Sequence, residues 1–155
     1  MDKAEAYRQL TEEIASVVEG ETSDTARYAS AACLLTLAFK PRFFWTGFYL
    51  VDPFKPNELV VGPYQGTLGC LRIPFGKGVC GHVAATCEPI IVPDVHEFPG
   101  HIACDSASNS EIVVPVFKAD GTLAAVLDVD STEYDAFDEI DQAGLVEICR
   151  ILLTA

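Results

Sequence analysis

From Asp2 to Val18 the apolar residues fall at Tyr7, Leu10, Ile14, Val17 and Val18, a helical spacing that predicts an amphipathic helix closed by Gly20. Thr22, Ser23 and Asp24 supply N-cap chemistry for a second helix through about Phe39, with Pro41 marking its end. Its run YASAACLLTLAF is apolar enough to be buried on most sides. The period then shortens. RFFWTGFYLV is aromatic and β-branched, as a strand requires, and LVVGPYQG reads as its partner across the turn-like DPFKPNE, giving a hairpin with a long loop. GCLRIPFGKGVCGHVAAT passes from an extended stretch through Gly76, Gly78 and Gly81 into a short helix ending near Thr86. IIVPD predicts a short strand, and Val95 to Ser110 a long loop. EIVVPVF and TLAAVLDVD form a second hairpin across ADG, and a last helix runs from Asp138 to about Leu153. Helices at both ends with hairpin-paired strands between them predict an α+β fold, a central antiparallel sheet packed with N-terminal and C-terminal helices.

Composition adds limits. A chain of 155 residues that is 50% hydrophobic fits one domain, residues 1–155, with a single core. Ten Lys and Arg against 23 Asp and Glu give a field that repels polyanions and anionic membrane surfaces, so no nucleic-acid or membrane partner is expected. The opening MDKAEAYRQL alternates charges, and no run approaches the ~18 apolar residues of a membrane span. A cytoplasmic location is the expectation.

Cysteines stand at 33, 70, 80, 87, 104 and 149. A reducing compartment makes structural disulfides rare, so these thiols divide between packing and chemistry. Cys33 and Cys149 sit in helical apolar runs and are assigned to packing. The other four fall in a stretch rich in glycine and proline. Cys104 lies in GHIACDSASNSEIVVP, a long loop of the kind that is either functional or disordered, and Phe98, Pro99, His101 and Ile102 favour an ordered lid over a pocket. His101 is the nearest basic side chain to Cys104 in sequence, and a thiol near pKa ~8.5 needs help to ionise. The pattern GKG lacks the spacing of a phosphate-binding P-loop. The His101/Cys104 and His82/Cys80 pairs lack the paired knuckles of a zinc site, so no metal is expected.

The runs GPYQGTLGCLRIPFGKGVCG, DVHEFPGHIACDSASNSEIVVP and AAVLDVDS together resemble the free methionine-(R)-sulfoxide reductases, single-domain enzymes of the GAF fold. The resemblance spans nearly the whole chain and includes Cys70, Cys80 and Cys104 at matching spacings. It implies thiol-dependent reduction of free methionine-(R)-sulfoxide, with Cys104 attacking the sulfoxide sulfur and passing through a sulfenic acid. Cys70 would then close a disulfide with Cys104, and Cys80 would be an alternative resolving or supporting thiol. Trp45 and Tyr49 match aromatic residues that enclose the substrate's methyl end. Glu111, Asp128 and Asp130 match carboxylates that hold the ligand and its sulfoxide oxygen. Recycling by a thioredoxin-type reductant, a role in oxidative stress, no organic cofactor and a homodimer are further implications. Cys87, His82 and Ser106 depart from the family pattern, and Cys87 leaves open a further resolving route. The rival reading is a non-enzymatic GAF module sensing a small ligand or redox state through the same cysteines.

The chemistry of the residues is consistent with reduction. Carboxylates crowded into one cavity raise each other's pKa, so one can stay protonated as an acid while its neighbour stays ionised.

Overall fold

Strand parity organises the molecule. In the computed structural model, which describes residues 1–153, six strands form one antiparallel sheet in the order β3-β2-β1-β6-β5-β4. They are β1 (Trp45–Asp52), β2 (Lys55–Gln65), β3 (Arg72–Pro74), β4 (Ile90–Val92), β5 (Ser110–Phe117) and β6 (Leu123–Ser131). Helices α1 (Lys3–Val18), α2 (Asp24–Phe39) and α4 (Glu139–Leu152) cover one face, and the short α3 (Gly78–Thr86) covers the other.

Successive side chains of a strand point to opposite faces. Phe48 of β1, Ile112 and Val114 of β5, and Leu127 and Val129 of β6 therefore enter the core under α1, α2 and α4. Their alternates Tyr49, Val113 and Val126 join a second cluster with Val79, Cys80 and Val83 of α3.

The helix ends follow the capping residues. Asp2 accepts from the Glu5 N–H at 2.8 Å and Ser23 from the Ala26 N–H at 3.2 Å. Asp138 and Asp141 form a reciprocal capping box on α4. Asp141 is fully buried and also takes the Tyr7 hydroxyl at 2.7 Å, Arg42 at 3.0 Å and Lys3 at 3.0 Å, so one carboxylate ties α1, α4 and the approach to β1. Arg27 is buried without a carboxylate partner among the described residues. Its guanidinium instead donates to the carbonyls of Val18, Glu21, Ile151 and Leu152, joining the C-terminal ends of α1 and α4, where helix carbonyls lack partners of their own.

Three expectations need correction. The β1–β2 hairpin is tight, because Asp52 pairs with Lys55 and the Asp52 carboxylate accepts from the Phe54 N–H at 2.8 Å. Pro56 and Asn57 belong to β2 and precede Glu58, where the pairing with β3 begins, so the proline lies outside that ladder. Helix α2 is buried on one face alone: Leu37 is 59% exposed. Cys33 is likewise exposed and not a packing residue, whereas Cys149 is buried as expected. The segment after β4 also contains a 3-10 turn, Val95–Glu97, whose N-cap Asp94 accepts from the His96 N–H at 3.0 Å.

Candidate active site

The face of the sheet turned away from α1, α2 and α4 holds a cavity with about 510 Å³ of atom-free space. Its floor comes from alternate positions of adjacent strands: Trp45 and Tyr49 of β1, Asp128 and Asp130 of β6, and Glu111 of β5. The register makes this convergence inevitable. Trp45 and Glu111 both stand opposite Asp130, from either side of β6, and Gly47 stands opposite Asp128. The roof is the loop segment His101 to Asp105, with Gly78, Val79 and Cys80 of the first turn of α3 on one side.

Trp45 stacks on Tyr49 at 5.6 Å between centroids and on Tyr64 at 5.0 Å. Its indole N–H donates to the Thr67 carbonyl at 2.8 Å, which fixes the ring against the wall. Two glycines make room for it. A Cβ at Gly47 would lie 2.2 Å from Tyr64 Cβ, and one at Gly69 would lie 2.8 Å from Trp45 Cζ2.

Cys104 lines the cavity and is joined to Cys70 in a disulfide, with Cα atoms 5.4 Å apart and a sequence separation of 34. Cys70 does not line the cavity itself but follows Gly69, which does. The Thr67 hydroxyl donates to Asp105 at 2.7 Å, so the loop bearing Cys70 and the loop bearing Cys104 are tied at a second point. The long loop thus lies over the pocket, as its composition predicts.

Burial dominates the electrostatics. Glu111 and Asp128 are each 5% exposed and Asp130 is half-buried. Burial, and next the Asp128 charge, push the Glu111 and Asp130 carboxyls well above the usual carboxylate range. Burial raises Asp128 too. Burial also raises the Cys80 and Tyr49 protons, with Asp128 the next cause for both. The Cys80 thiol lies 3.9 Å from Glu111 Oε2. No lysine or arginine is among the cavity's lining residues.

His101 lines the cavity with its Nε2 3.8 Å from Glu111 Oε1, and burial lowers its pKa while the Asp128 charge opposes that fall. His82 packs edge-on to Phe98 at 5.8 Å, and Cys104 is held in the disulfide. Cys80, Glu111 and Asp128 each offer a potential ligand atom within 4.8 Å of the others.

Every residue singled out in the sequence as catalytic or substrate-binding is therefore at this cavity or, for Cys70, bonded to a residue that is. Sequence reasoning missed Gly47, Gly69 and the place of Gly78 and Val79 in the cavity wall, although it singled out Cys80 of the same turn. Gly47 was legible as the middle member of the period-two set Trp45, Gly47, Tyr49. The turn at Gly78 was not, because Lys77 makes no side-chain cap and nothing in its sequence marks the approach of Ile102, which would lie 3.1 Å from a Cβ there.

A cavity enclosed between one face of an antiparallel sheet and the loops above it, with helices behind the sheet, is the arrangement of a GAF domain, and the model of the GAF domain family matches residues 5–155. Relatives named free methionine-R-sulfoxide reductase are 42% identical in Escherichia coli, covering 96% of this chain and 87% of theirs, and 38% identical in Saccharomyces cerevisiae, covering 98% and 86%. The crystal structure of free methionine-R-sulfoxide reductase from Neisseria meningitidis in complex with its substrate superposes with a TM-score of 0.92 at 49% identity, covering 98% of this chain and 89% of that one. The chain belongs to the free methionine-(R)-sulfoxide reductases, the oxidoreductases of the GAF family, as its cysteine-bearing runs imply.

Proposed function

We propose that this chain reduces free L-methionine-(R)-sulfoxide to L-methionine, with Cys104 as the nucleophile and Cys70 as the resolving thiol. The observation that carries the reading is the pairing of Cys104 with Cys70 over a cavity that has stacked aromatic rings on one side and three carboxyls on the other. In the reduced enzyme the Cys104 thiolate attacks the sulfoxide sulfur. Glu111 or Asp130, kept protonated by burial, donates a proton to the oxygen as the sulfur–oxygen bond breaks. Oxygen passes to Cys104 as a sulfenic acid and methionine leaves. The Cys70 thiol then condenses with it, giving the disulfide and one water. A thioredoxin-type dithiol takes over the disulfide by exchange and restores both thiols.

The remaining residues orient the substrate. Trp45 and Tyr49 receive the methyl end, where sulfur gains from contact with aromatic rings. Asp128, buried and with its Oδ1 unpartnered, pairs with the ammonium. The first turn of α3 has no side-chain cap and offers amide donors to the carboxylate. A cavity that holds both charged ends of a free amino acid excludes a methionine sulfoxide within a polypeptide. The scheme uses no metal and no organic cofactor.

The test is to incubate the reduced protein with both free methionine sulfoxide diastereomers and a dithiol, following each by chiral chromatography. Loss of the R form alone is expected. Persistence of both forms would overturn the reading and leave a ligand-sensing pocket.

A further inference from the structure

We infer that Cys80, Glu111 and Asp128 form a binding site for a thiophilic divalent cation of the zinc type, occupied in competition with the amino-acid substrate. The three donors come from separate rigid elements, α3, β5 and β6, so the site is set by tertiary structure and not by a local motif. Sulfur and two carboxylate oxygens are a borderline-soft set suited to zinc or cobalt and poorly suited to magnesium or calcium.

Geometry supports the assignment. Donor atoms around tetrahedral zinc stand about 3.3–3.7 Å apart, given bonds of roughly 2.3 Å to sulfur and 2.1 Å to oxygen. The three here all lie within 4.8 Å of one another, and Cys80 Sγ is 3.9 Å from Glu111 Oε2, so they need close by only about 1 Å. Asp128 supplies an independent sign of a missing ligand. Its side chain is 5% exposed, lines the cavity, and its Oδ1 has no hydrogen-bond partner. Buried polar atoms in folded proteins nearly always have one. No lysine or arginine stands among the lining residues to occupy the place of a cation. Three protein ligands leave a fourth position open toward the cavity.

Cys80 stands outside the Cys70–Cys104 disulfide, so the site persists in the oxidised enzyme. That property allows a clean test. The oxidised full-length protein is titrated with Co2+, a spectroscopic probe of thiolate ligation. The expected result is one Co2+ per chain, with sulfur-to-metal absorption in the near ultraviolet that Zn2+ abolishes by displacement. Cys80→Ser should remove the band, and Asp128→Asn should weaken binding at least tenfold, since even outer-shell changes cost roughly 10–100-fold in affinity. Cys33→Ser and Cys87→Ser, which remove the two exposed thiols, should change neither. Absence of the band, or its survival in Cys80→Ser, overturns the site. In turnover assays Zn2+ should inhibit competitively with the sulfoxide, because both need Glu111 and Asp128; noncompetitive inhibition overturns the shared cavity. A chain that binds Co2+ through Cys80 but leaves both sulfoxide diastereomers intact upholds the cation site and refutes the proposed reduction instead.

Discussion

Glu111 and Asp130 face one another as a cross-strand pair of β5 and β6, and burial together with Asp128 holds both carboxyls well above their ordinary range. Two acids placed this way can carry protons at neutral pH. Strands hold them there more rigidly than a loop would.

Glu111→Gln is therefore expected to lower kcat while leaving Cys104 reactive to alkylation in the reduced protein. The wild-type rate should fall on the alkaline side, as pH rises through the raised pKa and the proton is lost. Normal kinetics in the mutant would return Glu111 to a structural role.

The same pair gives a prediction for stability with a fixed sign. For an acid raised above its ordinary value of 4.5 on folding, the folded state binds more protons than the unfolded one between the two pKa values. The contribution of Glu111 is thus greatest below about pH 4.3, its unfolded value, and is lost as pH rises toward the folded pKa. Glu111→Gln should accordingly stabilise the fold at neutral pH, by about 1 kcal/mol, typical of relieving a strained functional site. Chemical denaturation at pH 4 and pH 7.5 checks this, and a larger gain at pH 4 would contradict the sign.

Cys104→Ser should abolish turnover even with a small-molecule dithiol. Cys70→Ser should complete one reduction per active site and then turn over poorly with thioredoxin. Peptide mapping of substrate-oxidised protein should recover the Cys70–Cys104 bridge. A dominant Cys80–Cys104 bridge would transfer the resolving role to Cys80.

Gly47→Ala places a methyl 2.2 Å from Tyr64 Cβ and 2.7 Å from Trp45 Cη2. Overpacking of that kind destabilises by roughly 1–3 kcal/mol. Because the displaced ring belongs to the cavity wall, KM should rise more than kcat falls. Unchanged KM with unchanged stability would mean that the wall yields freely.

Arg27→Met should destabilise the protein by about 3 kcal/mol, because hydrogen bonds from a charged donor contribute ~1.5–3 kcal/mol each and removal leaves carbonyls of two helices unpaired. The midpoint of urea unfolding measures this, and substrate affinity should not change.

Much of this was legible in the sequence, for reasons that differ by element. Helices α1 and α4 bury one face, so their apolar period is strong, and Asp138 announces the start of α4. Helix α2 is alanine-rich and apolar on both faces, so the pattern did not show that Cys33 and Leu37 face outward. The first hairpin was given too long a turn because Pro56 and Asn57 are turn formers; β3 pairs only from Glu58 onward, so they extend β2 instead. Asp128 and Asp130 could have been placed by parity, since Leu127 and Val129 alternate with them. His101 could not: burial against Glu111 is a tertiary fact. Nor could Cys80, Glu111 and Asp128 be joined, since 48 positions and three elements separate the first from the last.

The alternation along β6 also constrains how this gene can change length. Inserting or deleting a single codon between Ala125 and Asp128, where the ladder is regular, would turn Asp128 and Asp130 into the hydrocarbon under α1 and α4 and aim Leu127 and Val129 at the substrate. Fold and chemistry would fail in the same event. Length variation in this family should therefore collect in the connections and at the bulge between Leu123 and Ala125, and spare β6 from Ala125 onward.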